Sequence, residues 1–165
     1  MVEYVSEVCN AMRVCPRNYK IVSGVGKSQF PLVAFDNALR DAGIGDYNLV
    51  KVSSVLPANC VYREIIPEKK GSIIYAAYSV LTLENGEAGM TAVAVAVPTI
   101  TQESGIIFES SLTNAKQNLE EHTRQMCVEA MENRGKLILE IKSTSNKVEG
   151  EPNCFISAVS AVVMW

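Results

Sequence analysis

The segment Asn48-Leu-Val-Lys-Val-Ser-Ser-Val-Leu-Pro57 holds two adjacent serines, and its interpretation decides that of the whole chain. Its apolar residues predict a buried strand that runs into Ser53 and Ser54. Pro57, which has no backbone N–H to donate, ends the strand. The hydroxyl of Ser54 can attack the carbonyl of Ser53, so the bond between the serines is a candidate for self-cleavage. Serine pairs are common, and an ordinary strand end is the alternative at this point.

Composition is typical of one globular domain, residues 1–165. Of the 165 residues, 48% are hydrophobic and 20% are charged, which is enough apolar material for a sizeable core. Because the net charge is −3, there is no excess of basic residues for phosphates, which argues against nucleic acid as a partner. The most apolar windows, residues 91–98 and 154–165, are too short to span a membrane as helices.

Cysteine usage and the first residues predict a cytoplasmic protein. The five cysteines form no Cys-x-x-Cys pair and have no zinc-ligand spacing, and their number is odd. Free thiols are typical of a reducing compartment. The chain begins without a basic segment followed by an apolar run, so we expect no secretory signal.

The order of predicted elements indicates an α+β fold, with more strands than helices. One helix is predicted to start at Pro31, with Leu32, Phe35 and Leu39 at helical spacing facing the core. A longer helix is predicted to begin after Thr113 as its N-cap. Two packed sheets with helices outside would use the many apolar strands that remain.

Two glycine-containing segments predict turns. Gly24-Val-Gly26 is predicted to end a short strand. The Lys27-Ser28 that follows invites a phosphate-binding loop, but that motif needs a glycine where Ile21 stands. Farther along the chain, Asn85-Gly86 predicts a hairpin turn between two apolar strands.

The common catalytic constellations are not evident. The single histidine, His122, lies in the middle of the second predicted helix, which argues against a Ser-His-Asp triad. No carboxylate cluster has metal-ligand spacing, and no glycine-rich dinucleotide fingerprint occurs. An enzyme with this sequence would therefore need another electrophile. Acyl transfer to the Ser54 hydroxyl, β-elimination and loss of ammonia would supply one, a pyruvoyl group.

Several segments together resemble one known family. Residues 34–39 (Ala-Phe-Asp-Asn-Ala-Leu) precede residues 43–54, which read Gly-Ile-Gly-x-x-Asn-Leu-x-x-x-Ser-Ser and combine a glycine turn, an amide and the serine pair at fixed offsets. Residues 105–109 (Gly-Ile-Ile-Phe-Glu) and the closing segment 154–165 extend the match over nearly all of residues 19–165. On these motifs the chain resembles the pyruvoyl-dependent arginine decarboxylases.

The resemblance implies self-cleavage between Ser53 and Ser54. A β chain of residues 1–53 and an α chain of residues 54–165 would result, the latter beginning with a pyruvoyl group derived from Ser54. It also implies a four-layer αββα sandwich, assembled as a homotrimer of αβ protomers with active sites between neighbours. Residues 1–18 do not match the family pattern and are a candidate extra helix at a subunit interface. No metal ion is expected.

The same resemblance assigns roles to individual residues. Asn48 would assist processing, Glu109 would donate a proton during decarboxylation, and Ser53, as the new C-terminus, would border the pocket. Asp36 would bind the guanidinium of L-arginine, and Leu39 would form an apolar wall beside it. The expected enzyme is a lyase that converts L-arginine to agmatine and CO₂, for polyamine synthesis or acid resistance.

A proton donor at neutral pH needs a raised pKa, and burial of Glu109 at the end of an apolar strand would favour one. Two alternatives remain open from the sequence. The same chemistry could act on a different amino acid, or the chain could be an unprocessed, non-catalytic oligomeric binding module.

Overall fold

The computed structural model describes residues 15–114 and 118–165. In these ranges it has nine strands and two helices, which confirms the predicted α+β class. Most of the candidate helix at residues 1–18 lies outside the described residues. No helix in the described ranges is long and apolar enough to cross a membrane. The helices are α1 (Pro31–Asp41) and α2 (Leu119–Glu132), and the strands are β1 (Asn18–Ser28), β2 (Asn48–Lys51), β3 (Val55–Leu56), β4 (Val61–Tyr62), β5 (Ile73–Leu83), β6 (Ala88–Pro98), β7 (Gly105–Thr113), β8 (Ile138–Glu149) and β9 (Phe155–Met164).

The strands form two sheets that share a core. Sheet A has the order β2-β5-β9-β1-β4, and sheet B has the order β3-β7-β6-β8. In sheet A, β2 runs parallel to β5 and β4 runs parallel to β1, whereas the other pairs are antiparallel. The inner faces of the sheets pack together. Their shared apolar cluster is formed by Tyr19, Ala77, Val162 and Met164 from sheet A and by Leu56, Val93, Val95 and Ile107 from sheet B.

Helix α1 packs on the other face of sheet A. Alternate residues of β5 and β9 point to the helix and to the core between the sheets, as the period of two of a strand requires. Gly24 and Gly26 face α1, and a Cβ at either position would meet backbone atoms of the helix. Both glycines lie inside β1, which continues to Ser28, so the predicted glycine turn is wrong. These glycines instead allow the helix backbone to approach the strand closely.

The same close approach explains which face of α1 is buried. Ala34 and Ala38 are fully buried, whereas Leu32 is 80% exposed. Phe35 and Leu39 are half-buried and pack against the cluster between α1 and sheet A. The prediction that Leu32 faces the core is therefore wrong, because only small side chains fit where the helix meets the glycines.

Helix α2 packs on sheet B through Cys127 and Met131. Its N-cap is Asn118, whose side-chain oxygen accepts a hydrogen bond from the backbone N–H of Glu121 at 3.2 Å. Thr113 ends β7 instead, so the predicted N-cap is wrong. Asparagine and threonine are both favourable N-cap residues, and their local chemistry does not decide between the two positions.

The turn at Asn85-Gly86 carries the chain from sheet A to sheet B. Gly86 has a positive φ of 84°, and the backbone N–H of Glu87 donates to the carbonyl of Glu84 at 3.2 Å. The predicted turn is confirmed, but the predicted hairpin is wrong, since β5 and β6 belong to different sheets. The residues of a turn indicate that the chain reverses there, but they do not determine with which strand the following strand pairs.

Candidate active site

The bond between Ser53 and Ser54 lies where the chain passes from one sheet to the other. Val52 N–H donates to the carbonyl of Ala76 in sheet A at 3.1 Å, and Ile107 N–H in sheet B donates to the carbonyl of Ser54 at 3.0 Å. Between these two hydrogen bonds the chain leaves β2, at the edge of sheet A, and enters β3, at the edge of sheet B. The serine pair therefore joins two sheets rather than ending one strand.

The flanking strands are largely exposed in this chain, although Leu56 of β3 is buried. Val50 in β2 is 41% exposed and Val55 in β3 is 47% exposed. The prediction of one buried strand over residues 48–57 is therefore wrong for the single chain. Both strands are short edge strands, and an edge strand has a neighbour on one side only.

Ser54 is the middle residue of a tight turn. The backbone N–H of Val55 donates to the carbonyl oxygen of Ser53 at 2.8 Å, which closes a three-residue turn around Ser54. The carbonyl of Ser54 points to β7 and accepts the Ile107 N–H. The carbonyl groups of Ser53 and Ser54 therefore each accept a hydrogen bond from a backbone N–H.

Glu109 is the side chain that the fold brings to Ser54. Two residues after Ile107 in β7, it shares the face of that strand that points between the sheets. The Ser54 hydroxyl lies 3.5 Å from Glu109 Oε2, at the long limit of a hydrogen bond in which Ser54 donates. The fold therefore brings Glu109 to the serine pair, and its role as a proton donor stays a prediction.

Burial raises the pKa of the Glu109 carboxyl above its ordinary value. The charge of the nearby Lys51 ammonium and the hydrogen bond from Ser54 act in the opposite direction, but burial is the larger effect. The Lys51 ammonium itself lies 4.7 Å from the centre of the Tyr78 ring, in a cation–π contact. Glu109 is thus placed to hold a proton at a higher pH than a free glutamate does.

Asn48 begins β2, at the end away from the serines. Its side-chain amide donates to the carbonyl of Gly71 at 2.6 Å, and its backbone N–H donates to the carbonyl of Ser72 at 2.9 Å. The extended residues from Asn48 to Lys51 alone span roughly 10 Å. Within one chain, the described contacts of Asn48 therefore fix the start of β2, and its role at the serine pair stays a prediction.

Asp36 and Leu39 lie on α1. The helix covers the face of sheet A that points away from sheet B, whereas Ser54 and Glu109 meet on the side between the sheets. Asp36 is exposed and Leu39 is half-buried against sheet A. One chain does not bring these two residues to Ser54, and their substrate-binding roles stay predictions.

Other kinds of site have no counterpart in the described residues. In residues 15–114 and 118–165, no group of three or more His, Cys, Asp or Glu side chains is suited to a metal ion. His122 is exposed on α2. A cavity of about 290 Å³ beside β3 is lined mainly by apolar residues, and neither Ser54 nor Glu109 is among them.

Comparison with known proteins identifies the family. A family model described as pyruvoyl-dependent arginine decarboxylase matches residues 18–165. This chain belongs to that family. Relatives named pyruvoyl-dependent arginine decarboxylase include a protein of Methanopyrus kandleri, 33% identical over 150 residues, which are 91% of this chain and 97% of the relative. The relative from Methanococcus aeolicus is 35% identical over 152 residues, which are 91% of this chain and 90% of the relative. The relative from Methanothermobacter thermautotrophicus is 37% identical over 145 residues, which are 87% of this chain and 93% of the relative.

Membership of the pyruvoyl-dependent arginine decarboxylase family confirms the resemblance that the motifs indicated. The matched range, residues 18–165, contains Asp36, the serine pair and Glu109, and residues 1–17 lie outside it. Members of the family use a pyruvoyl group. The surroundings of Ser54 fit such a group for two reasons. The Ser54 hydroxyl faces the Glu109 carboxyl. The backbone carbonyl of Ser54, which is retained when serine becomes a pyruvoyl group, accepts a hydrogen bond from the Ile107 N–H.

Sequence reasoning did not find three of the groups around Ser54 in this pyruvoyl-dependent family member. The backbone N–H groups of Val55 and Ile107 have no side-chain signature, and only the turn and the strand pairing reveal them. Lys51 was visible in the sequence, three residues before Ser54, but an isolated basic residue on an edge strand is usually a solvated side chain.

Proposed function

We propose that this chain cleaves itself between Ser53 and Ser54 and then decarboxylates L-arginine to agmatine and CO₂. The observation that carries the proposal is the approach of the Ser54 hydroxyl to Glu109, 3.5 Å away, at the bond that crosses between the sheets. Family membership supports the chemistry. The uncut chain would be an inactive precursor, a zymogen.

Cleavage would begin with attack of the Ser54 hydroxyl oxygen on the carbonyl carbon of Ser53. Glu109 would accept the hydroxyl proton, and a carboxylate with a raised pKa is a stronger base for this step. The proton then passes to the Ser54 nitrogen as its bond to the Ser53 carbonyl breaks and the ester forms. Elimination at Ser54 breaks the ester and releases the Ser53 carboxylate. Water then displaces the nitrogen as ammonia and leaves the pyruvoyl group.

The products would be the β chain, residues 1–53, and the α chain, residues 54–165. They would stay together as one domain, because β1 and β2 are paired with strands of the α chain. The contacts of α1 with sheet A, of the two sheets with each other, and of α2 with sheet B support a four-layer αββα sandwich.

A pyruvoyl group supplies a ketone that condenses with the substrate amine and withdraws electrons as CO₂ leaves. Glu109, in its protonated form, would deliver a proton to the α-carbon after CO₂ has left, which agrees with the direction of its pKa shift. Ile107 N–H would keep the carbonyl next to the ketone in a fixed orientation. Ser53, as the new C-terminus, would border the pocket.

Substrate selection would come from Asp36, with Leu39 and Asn48 also lining the site. A guanidinium pairs well with a carboxylate, since both are planar and can form two parallel hydrogen bonds. Because α1 lies on the outer face of sheet A, Asp36 would reach the pyruvoyl group of a neighbouring subunit rather than its own. This supports the homotrimer that the family resemblance implies.

Exposed apolar side chains support an assembly of this kind. At the start of α1, large apolar side chains are exposed, and others are exposed at the edge formed by β2 and β5. A subunit interface would cover such surface. These side chains are Phe30, Leu32 and Val33 on and beside α1, and Val50 and Ile73 on the two strands.

The intact mass of the purified protein tests self-cleavage. The two fragments together should have the mass of the 18.0 kDa chain plus one water and minus one ammonia, whereas a protease would add one water only. Ser54→Ala should stay uncut and folded, and Ser110→Ala, in the strand that carries Glu109, should cleave normally. A single full-length species of the unsubstituted chain would contradict the proposal and favour a binding module.

Release of CO₂ tests the substrate. The cleaved protein should act on L-arginine and much less on L-lysine or L-ornithine, which lack the planar guanidinium. Equal turnover of lysine, or unchanged arginine turnover after Asp36→Ala, would refute the guanidinium assignment while leaving the pyruvoyl chemistry intact.

A further inference from the structure

We propose that the backbone N–H of Val55 is the oxyanion donor of self-cleavage, stabilising the negative charge that develops on the Ser53 carbonyl oxygen. This inference rests on the proposed self-cleavage between Ser53 and Ser54. The proposed donor is a backbone group and not a side chain. It belongs to Val55, the residue that follows the bond between Ser53 and Ser54 by one position, just outside the motif of residues 43–54.

The geometry of the turn around Ser54 carries the inference. The Val55 N–H already donates to the Ser53 oxygen at 2.8 Å before any reaction. When the Ser54 hydroxyl attacks the Ser53 carbonyl carbon, this same oxygen gains negative charge. A donor aimed at the oxygen in advance stabilises that charge without reorganisation at the moment of reaction.

Strand β7 holds this turn in place. Val55 pairs with Ile106 and Leu56 pairs with Gly105, so β3 is anchored immediately after the donor. The Ile107 N–H holds the carbonyl of Ser54 at 3.0 Å. Since Glu109 belongs to the same strand, β7 positions both the base and the oxyanion donor relative to Ser54.

Within the described residues of one chain, two other candidate donors are engaged elsewhere. The side-chain amide of Asn48 donates to the Gly71 carbonyl at 2.6 Å, at the opposite end of β2. The Lys51 ammonium lies over the ring of Tyr78. Among the described hydrogen bonds, that of Val55 is the one that ends on the Ser53 oxygen.

The step balances without another reagent. The bond from the Ser54 hydroxyl oxygen to the Ser53 carbonyl carbon forms, and the hydroxyl proton moves to Glu109. The Val55 N–H donates to the oxyanion until the carbonyl re-forms. The bond from that carbon to the Ser54 nitrogen then breaks, and the nitrogen takes the proton from Glu109.

A single-atom change tests the donor. Replacing Val55 by its α-hydroxy acid, through nonsense suppression, exchanges the N–H for an oxygen and keeps the side chain. Loss of one oxyanion donor should slow cleavage by about 10²–10³-fold. The cleavage rate is followed by intact mass, which also separates cleavage between residues 53 and 54 from hydrolysis of the new ester between residues 54 and 55.

The matched control is an α-hydroxy acid at Ile65, an exposed residue outside the strands. It should cleave at the rate of the unmodified chain. Circular dichroism should report the same fold for both esters, and Val55→Pro, which also removes the N–H, should give the same slow cleavage in a folded chain.

The outcomes separate this inference from the proposed function. If the unmodified chain cleaves and the Val55 ester cleaves equally fast, the donor is elsewhere and only this inference is overturned. If the unmodified chain does not cleave, both self-cleavage and the donor are overturned. Slow cleavage of the Val55 ester with normal cleavage of the Ile65 ester supports the assignment.

Discussion

A methyl group added at Gly26 tests whether the position of α1 controls substrate binding. The Cβ of Gly26→Ala would stand 2.3 Å from both the carbonyl oxygen of Ala34 and the backbone nitrogen of Ala38, whereas ordinary contacts begin at 3.4 Å. The helix must therefore move by about 1.1 Å, the difference between these two distances. Because Asp36 lies between Ala34 and Ala38 on α1, the proposed guanidinium ligand moves with the helix.

Gly26→Ala should have two effects: the added methyl group overpacks the contact between β1 and α1, and the shift of α1 misplaces Asp36. Forcing one additional methyl group into a well-packed contact costs about 1–3 kcal/mol of unfolding free energy. For a chain of this size, each kcal/mol lowers the melting temperature by about 2–4 °C. A displacement of about 1 Å of a binding residue lowers kcat/KM by up to about 100-fold.

Two assays separate these effects. Thermal unfolding is measured in a Ser54→Ala background, so that the chain stays in one piece, and kcat/KM for L-arginine is measured per cleaved chain. The matched control is Gly135→Ala. Gly135 has a positive φ of 64°, and among the described residues, apart from its chain neighbours, no atom lies within 4 Å of the position that an added Cβ would take. The control substitution therefore destabilises by backbone strain, about 1–2 kcal/mol, far from α1.

Gly26→Ala should lower both stability and kcat/KM, while Gly135→Ala should lower stability alone. If Gly26→Ala unfolds at the temperature of the parent, the close approach of β1 and α1 is wrong. If it is destabilised and yet binds arginine normally, α1 does not carry the guanidinium ligand.

Three further substitutions have expected outcomes. Asp36→Asn should reduce kcat/KM for arginine by about 10- to 150-fold, the value of a hydrogen bond of about 1.5–3 kcal/mol to a charged group, with Glu132→Gln as an unaffected control. Glu109→Gln should lower kcat per cleaved chain by about 10²–10⁴-fold. It should also remove the fall in activity with rising pH, because the wild-type donor loses its proton as pH passes its raised pKa. Asn118→Ala should cost about 1 kcal/mol in denaturant unfolding, since α2 loses its N-cap.

The fold class and the family were predictable from the sequence, because both rest on local patterns. Alternating apolar runs predicted the strands, and fixed offsets around Ser53 and Ser54 predicted the family. The buried face of α1 was not predictable from its leucines. It depends on the two glycines in β1, which favour alanine at the contact and leave Leu32 exposed.

Parts of the site could not be predicted for a different reason. An apolar strand pattern does not indicate which sheet the strand joins. The sequence around the serine pair, where the chain passes from sheet A to sheet B, therefore looks the same as that of one continuous strand. Backbone donors such as the Val55 N–H are the same in every sequence, and only the geometry of the turn distinguishes them. The family resemblance pointed to Glu109, whose place at the end of an apolar run is visible in the sequence, and its catalytic role stays a prediction.

The strand order of sheet A has a consequence for how the mature protein is made. Residues up to 53 contribute β1, which lies between β9 and β4, and β2, which pairs with β5. After cleavage, one sheet would contain strands of two polypeptides, with β1 of the β chain lying between two strands of the α chain. An uncut chain can form this sheet in a unimolecular reaction, whereas a denatured mature enzyme must first bring two chains together at a rate that falls with dilution. The uncut chain would then be the form that folds in a unimolecular reaction, and cleavage would make any later refolding depend on the concentration of both chains.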